Sequence, residues 1–139
     1  MEWFERARAA EEIHDWDTAI DLAAAHAVCC GDSDAHDSHL WHMDLLARAR
    51  RLTELTRLAR TDIHARRSLN RHLGRQGRDT ALLDRARDGD RGALYVLVRL
   101  LCETGRSEEA RRAVLSIAPD DTYAHHILEP HRPPPLGTT

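Results

Sequence analysis

An internal repeat constrains the fold of this chain more than any other feature of its sequence. When the sequence is shifted by 28 residues, residues 51–78 align with residues 79–106 at nine identical positions. The identical pairs are Leu55/Leu83, Arg57/Arg85, Asp62/Asp90, Ala65/Ala93, Leu69/Leu97, Arg71/Arg99, Leu73/Leu101, Gly77/Gly105 and Arg78/Arg106. A repeat of this length indicates stacked units of secondary structure, because one unit alone cannot bury its apolar face.

Fainter copies flank this pair. The upstream copy supplies Asp34, Trp41, Leu45 and Arg50, with Ala49 in the place of the glycine. Downstream, after a slip of three residues, Asp121, Ala124 and Leu128 match Asp90, Ala93 and Leu97. The shared pattern is an Asp that can cap a helix, core positions one turn apart, and a Gly-Arg pair that reverses the chain. The pattern predicts a series of helical hairpins.

Apolar residues recur at helical spacing, and no segment alternates as a half-buried strand does. Ala and Leu fill the apolar positions, which suits closely packed helices. We therefore predict an all-α fold of about nine helices in one domain over residues 1–129, followed by a Pro-rich extended tail over 130–139. Seven of the predicted helices span residues 2–14, 35–49, 53–60, 63–76, 79–88, 91–104 and 121–129. The other two are predicted from the residues at their ends. The second helix is capped by Asp15 or Asp17 and ends near Gly31, and the eighth is capped by Ser107 and ended by Pro119.

The best-preserved segment, ALYVLVRLLCETGRSEEARRAV from Ala93, resembles the tetratricopeptide-like repeat superfamily. The family's packing positions correspond to Ala93, Leu97, Leu101, Gly105, Ala110 and Val114, with Pro119 near the terminal proline. The resemblance implies a right-handed stack of antiparallel helical hairpins, an α-solenoid. The 28-residue unit is shorter than the usual 34 residues. It looks more like the short Ala/Arg/Leu-rich helical repeats common in proteins from GC-rich bacteria.

The resemblance also implies a binding face, because the first helix of each hairpin lines the concave side of such arrays. The corresponding positions are His36, His39, Met43, His64, Arg67, Arg71, Arg75, Tyr95, Arg99, Glu103, Tyr123 and His126. Guanidinium groups bind carboxylates bidentately, so this face predicts a protein partner with an acidic or C-terminal peptide segment. The alternative is that these arginines form a solvated face or pair with the acidic first helices.

The distribution of charge supports a second hypothesis. Residues 48–78 hold ten arginines against two acidic residues, whereas residues 1–47 hold two arginines against eleven acidic residues. The segment 58–73 can be read as a helix-turn-helix with a basic second helix, so a nucleic-acid-binding module that uses the 48–78 band is the alternative function. A third hypothesis is self-association, such as a homodimer, through exposed apolar ends of the stack.

Metal and redox chemistry have weaker support in the sequence. His36 and His39 could share a metal with Asp32 or Asp34, although surface histidines on an amphipathic helix explain the spacing better. Cys29 and Cys30 lack a second cysteine pair, so we predict packing roles and no cofactor. The odd number of cysteines favours a reducing cytoplasm.

The sequence lacks the common catalytic and membrane-spanning patterns. The sequence contains no Gly-rich phosphate loop, no nucleophile elbow and no His-Glu-x-x-His motif, and we predict a non-enzymatic protein. No apolar run approaches the roughly 18 residues of a membrane span, and the opening MEWFERARAAEE is too acidic for a signal peptide. These patterns predict a cytoplasmic protein that does not contact a membrane.

Overall fold

The computed structural model describes residues 2–27 and 33–131, and every regular element in those ranges is helical. The prediction of an all-α fold is confirmed. The elements are α1 (Trp3–Glu12), α2 (Trp16–His26), α3 (Ser33–Arg48), α4 (Leu52–Ala59), α5 (Ile63–Arg75), α6 (Asp79–Arg87), α7 (Arg91–Glu103), α8 (Ser107–Ile117), α9 (Thr122–Leu128) and a 3-10 turn (Glu129–His131). The second helix was predicted to end near Gly31, but α2 ends at His26, because the backbone of Ala27 is already extended, with φ of −88° and ψ of 126°. Gly31 itself lies outside the described residues. Other boundaries agree with the predictions to within about two residues, which is the usual uncertainty of helix ends.

The chain divides into two compact units, the first up to Leu69 and the second from Asn70. The first unit contains α1 to α4 and the first half of α5, and the second contains the rest of α5 with α6 to α9. The single domain over residues 1–129 stays a prediction. Most of the predicted Pro-rich tail lies outside the described residues.

Small residues let the helices of the first unit approach closely. Ala7 of α1 and Ala19 and Ala23 of α2 are fully buried where these helices pack together. α3 packs against both α2 and α4, and it buries residues on more than one side, among them Leu45 and Leu46. This double contact explains why α3 has a wide apolar surface although many of its residues are polar.

α7 is the centre of the second unit. It contacts α6, α8 and α9, and its Leu94, Leu97 and Val98 are almost completely buried. Leu82 of α6 and Val114 of α8 complete this core. The wide apolar surface of α7 is thus covered by several helices, as expected for a helix in the middle of a unit.

Three of the four aspartates of the repeat cap helices, whereas Asp34 of the upstream copy lies inside α3. A carboxylate oxygen accepts a hydrogen bond from the backbone N–H three residues later in three places, at 3.4 Å for Asp62, 3.2 Å for Asp90 and 2.9 Å for Asp121. These bonds satisfy N–H groups that have no partner within the helix. The three N–H groups belong to alanines that are fully buried, Ala65, Ala93 and Ala124. In these three repeats the cap and the first core position are therefore joined by one hydrogen bond.

Left-handed residues close the hairpins. Gly77 and Gly105 have φ of 66° and 76°, and the next N–H bonds back to the carbonyl of Leu73 or Leu101. In the upstream copy the left-handed residue is Arg50, with φ of 59°, one position after the predicted Ala49. The sequence register therefore slips by one residue at this turn.

The start of α8 lacks a side-chain cap. The predicted capping role of Ser107 is wrong, because Arg106 occupies the position before α8 and no side chain accepts a hydrogen bond there. None of the helices in the described ranges combines the length and apolar character needed to cross a bilayer.

Candidate interaction surface

The twelve predicted binding residues are divided between the two units. The first unit holds His36, His39, Met43, His64 and Arg67. The second unit holds Arg71, Arg75, Tyr95, Arg99, Glu103, Tyr123 and His126. Their surroundings differ enough to separate interior side chains from side chains that a partner could reach.

In the first unit, the structure brings three predicted histidines together. The ring of His64 lies edge-on to His36 and His39, with centroid distances of 4.9 Å and 5.6 Å. His39 and Met43 are only 8% and 2% exposed. These two side chains serve the interior of the unit, so they offer no surface to a partner.

His39 also contacts a helix cap. Its Nε2 lies 2.7 Å from Oδ2 of Asp62, the distance of an ion pair when the imidazole is protonated, without the alignment of a hydrogen bond. Burial raises the pKa of Asp62, but the backbone N–H groups of His64 and Ala65, together with His39, outweigh burial and hold that pKa below its usual value. Burial lowers the pKa of the neighbouring His42, against the attraction of Glu54.

The sequence favoured surface histidines over a metal shared by His36 and His39, and this interpretation is wrong for His39, which is buried. Within residues 2–27 and 33–131, no three His, Cys, Asp or Glu side chains are placed to hold a metal ion. Asp32, Cys29 and Cys30 lie outside the described residues. Cys102 is buried, and burial raises the pKa of its thiol.

In the second unit, two tyrosines and an arginine form a joined group at the surface. The rings of Tyr95 and Tyr123 meet edge to face at a centroid distance of 4.7 Å, and Tyr123 is 45% exposed. The guanidinium carbon of Arg99 lies 5.5 Å from the centroid of the Tyr123 ring, and Arg99 donates a hydrogen bond to the Tyr123 hydroxyl. An exposed aromatic ring is thus held beside a cation.

Arg67, Arg71 and Arg75 follow one another along α5 at four-residue spacing, which places them on one side of the helix. All three are exposed, and none has a hydrogen bond or ion pair to another described residue. Like charges at this spacing destabilise a helix by roughly 0.2–0.5 kcal/mol for each pair. The row therefore has a small electrostatic cost that no carboxylate of the described chain offsets.

Other arginines of the basic segment do have acidic partners. Arg48 forms an ion pair with Glu11, and Arg51 forms one with Asp17. The acidic opening of the chain thus pairs with the start of the basic segment, as one of the sequence interpretations expected.

The two remaining predicted residues, Glu103 and His126, are exposed in the second unit. Neither side chain has a hydrogen bond or ion pair to another described residue. Both side chains are accessible to a partner, but no neighbouring group indicates what kind of partner they would bind.

Sequence reasoning did not predict a cavity in the first unit. Trp3 and Phe4 of α1 and Trp41 of α3 line a space of about 650 Å³, together with five charged side chains and a serine. The sequence interpretation placed Trp41 at a repeat position of the core. The available signal was the concentration of aromatics, since this site takes three of the six in the chain.

No protein-family model, curated protein or solved structure matches this chain. The likeness to tetratricopeptide-like repeats therefore stays a prediction from the sequence. Functional inference rests on the contacts, exposure and charge of the side chains described above.

Proposed function

We propose that this chain is a non-enzymatic protein-interaction module that binds an acidic peptide segment on the arginines and the exposed tyrosine of its second unit. The observation that carries the proposal is the state of Arg71 and Arg75, which are exposed and lack a carboxylate partner among the described residues. A carboxylate-rich ligand would neutralise this row and relieve its repulsion.

Helix geometry relates Arg71 of α5 to Arg99 of α7. The two helices meet where Gly74 faces Val96, because a Cβ atom on Gly74 would lie only 2.6 Å from Cγ1 of Val96. Arg71 lies three residues before Gly74, and Arg99 lies three residues after Val96. Residues three apart share a helix face, so both guanidinium groups belong to the sides of the helices that meet at this contact.

The chemistry of these groups suits an extended acidic chain. An Arg guanidinium presents several donors in a plane and can hold a carboxylate with two parallel hydrogen bonds. The exposed ring of Tyr123 adds apolar area and a hydroxyl at the same place. A peptide with several Asp or Glu residues, or with a free C-terminal carboxylate, would meet both kinds of contact.

The finer architecture is part of the same proposal. We propose that the hairpins belong to the tetratricopeptide-like class and stack with a right-handed turn, so that α5, α7 and α9 line the binding face. The recurrence of the Asp cap, the buried Ala and the left-handed Gly at equivalent places supports this interpretation. A cytoplasmic location, favoured by the cysteine pattern, completes it.

The test measures the affinity of fluorescent synthetic peptides for the purified chain by anisotropy. We expect a ten-residue Glu/Asp-rich peptide to bind, and a matched Gln/Asn-rich peptide not to bind. Replacing Arg71 and Arg99 together with Glu should weaken binding at least about tenfold, since each reversal replaces an attraction with a repulsion. An amidated version of the acidic peptide shows whether the terminal carboxylate contributes.

The matched control replaces Arg60 and Arg87 with Glu, which makes the same change of net charge at two other exposed arginines. This control should bind as the unchanged chain does. Equal loss in both double variants would show nonspecific attraction and contradict the proposed site. Binding of a single-stranded RNA or duplex DNA oligonucleotide with steep salt dependence, without binding of the peptide, would instead support the nucleic-acid alternative.

A further inference from the structure

The aromatic cavity of the first unit is built from rings on two helices. The Trp3 ring lies 6.1 Å from the Phe4 ring, nearly perpendicular to it, and 6.1 Å from the Trp41 ring at a tilt of 36°. The space between the rings and the charged side chains, about 650 Å³, falls within the range of small-molecule sites. Phe4 is 39% exposed, so the cavity opens to solvent on its side.

Contacts with neighbouring side chains hold the two indole rings in place. Trp3 stacks on His26 of α2 with a centroid distance of 4.1 Å and an angle of 8° between the rings. The indole Nε1 of Trp41 donates a hydrogen bond of 3.3 Å to Oε1 of Glu11, which also pairs with Arg48. The rings are therefore organised before any ligand arrives.

The charges around the cavity are mainly negative. Four carboxylates line it against one guanidinium, that of Arg8. Glu12, Asp34 and Asp37 form no ion pair with another described residue, and Glu12 and Asp37 are exposed. A cavity with this lining attracts cations and repels anions.

Arg8 shows that an aromatic face at this site accommodates a cation. Its guanidinium carbon lies 6.0 Å from the centroid of the Phe4 ring. The side chain is exposed, so it can move aside when another cation enters.

We propose that this cavity binds an organic cation that carries a methylated ammonium group. The negative faces of aromatic rings attract such a cation. Rings compete poorly with water for a bare ammonium, because water solvates that group strongly. The surrounding carboxylates supply the opposite charge. A neutral apolar ligand would gain nothing from those carboxylates, and an anionic ligand would be repelled by them. The site lies in the first unit and is independent of the proposed peptide-binding surface.

The first experiment is a calorimetric titration of the full chain with choline and tetramethylammonium at constant ionic strength. The matched neutral probe is 3,3-dimethylbutan-1-ol, which has the shape of choline without its charge. We expect both cations to bind, and the neutral probe to bind at least about fivefold more weakly. Equal affinity for choline and the neutral probe, or no binding of either cation, would overturn the proposal.

The second experiment places the binding at this cavity. The double variant Glu12→Gln, Asp37→Asn changes two exposed carboxylates and should weaken choline binding about fivefold. The control, Asp84→Asn with Asp88→Asn, removes two exposed carboxylates of the second unit and should leave the affinity unchanged. Unchanged affinity in the cavity variant would contradict the assignment.

A third arm tests the rings and the source of the cation. Trp41→Leu should weaken binding about tenfold, whereas Trp16→Leu, at a tryptophan outside the cavity, should have no effect. Circular dichroism checks that both variants fold. A peptide that contains trimethyllysine, compared with its unmethylated form, shows whether the ammonium group reaches the site as part of a protein. Preference for the unmethylated peptide would refute the proposed chemistry.

Discussion

The phenolic hydroxyl of Tyr95 donates a hydrogen bond of 2.7 Å to Oδ2 of Asp121, the residue that caps α9. The same carboxylate accepts from the backbone N–H of Ala124 and from Arg91. These contacts, with the Tyr95 bond the strongest, lower the pKa of Asp121 to about 2. Asp121 therefore stabilises the second unit above its ordinary pKa of about 3.9, and this contribution is lost as the pH falls towards 2.

Removal of the phenolic hydroxyl should raise the pKa of Asp121. In Tyr95→Phe we expect acid unfolding of the second unit to begin at a higher pH than in the unchanged chain, because the carboxylate is protonated earlier. Carbon NMR of the Asp121 carboxyl gives the pKa, and circular dichroism follows unfolding. Tyr123→Phe is the control, since it removes a hydroxyl that contacts Arg99 and leaves Asp121 intact. An unchanged Asp121 pKa in Tyr95→Phe would contradict this account.

The close contact of α5 and α7 predicts a rescue experiment. Gly74→Ala would place a Cβ atom 2.6 Å from Cγ1 of Val96, so we expect the free energy of unfolding to fall by about 1–2 kcal/mol despite the better helix propensity of alanine. Adding Val96→Ala removes the clashing atom. In a double-mutant cycle followed by urea unfolding, the two changes should show a favourable coupling energy. If the effects of the two substitutions on the free energy of unfolding were simply additive, the two helices would not meet at this point.

A buried polar network predicts a larger effect. Asn70 is 3% exposed, its amide donates to Asp90 at 3.0 Å, and its carbonyl accepts from Arg85 at 2.9 Å. Asn70→Leu should lower the free energy of unfolding by about 2 kcal/mol, because two partly buried groups lose a partner. Urea unfolding measures the change, and Ser116→Leu on the exposed side of α8 is the control. A loss below about 0.5 kcal/mol would show that water replaces the amide without penalty.

The left-handed turn at Arg50 offers a gain in stability. Arg50 has φ of 59°, a conformation that costs a residue with a Cβ atom roughly 1 kcal/mol. Arg50→Gly should therefore raise the free energy of unfolding by up to about 1 kcal/mol. The control is Arg60→Gly, at a right-handed position with φ of −64°, where the same exchange should reduce stability.

The reverse exchange tests the same argument at the equivalent turn. Gly77→Ala, at φ of 66°, should lower the free energy of unfolding by about 1 kcal/mol, although no atom lies within 4 Å of the added methyl group. Thermal and urea unfolding measure both exchanges. Stabilisation by alanine would show that this turn does not keep the left-handed conformation.

The helices could be predicted because their signals are local. The Asp caps, the buried Ala positions and the turn glycines each act within one or two turns of chain, so spacing alone locates them. The turn at Arg50 could not be located in the same way, because it lacks a glycine and no particular side chain selects the left-handed residue. Its position depends on where α3 stops packing against its neighbours.

The candidate sites were harder to predict, because exposure is set by tertiary packing. His39 and Met43 occupy the repeat positions of a binding face, yet both are buried, and His39 lies beside Asp62 and His64 at the start of α5. Arg67 and Arg71 have the equivalent positions 28 residues later on α5 and stay exposed. The aromatic cavity depends on contact between Trp3 and Trp41, which are far apart in the sequence, and periodicity carries no information about such a pair.

The caps of α7 and α9 have a consequence for how the second unit opens. Asp90 holds Asn70 and Arg85, and Asp121 holds Tyr95 and Arg91, so the first turn of each helix is tied to side chains of an earlier helix. Neither helix can fray at its start without breaking contacts made by another helix. Amide hydrogen exchange in these first turns should therefore report a shared, cooperative opening, although helix ends ordinarily exchange fastest.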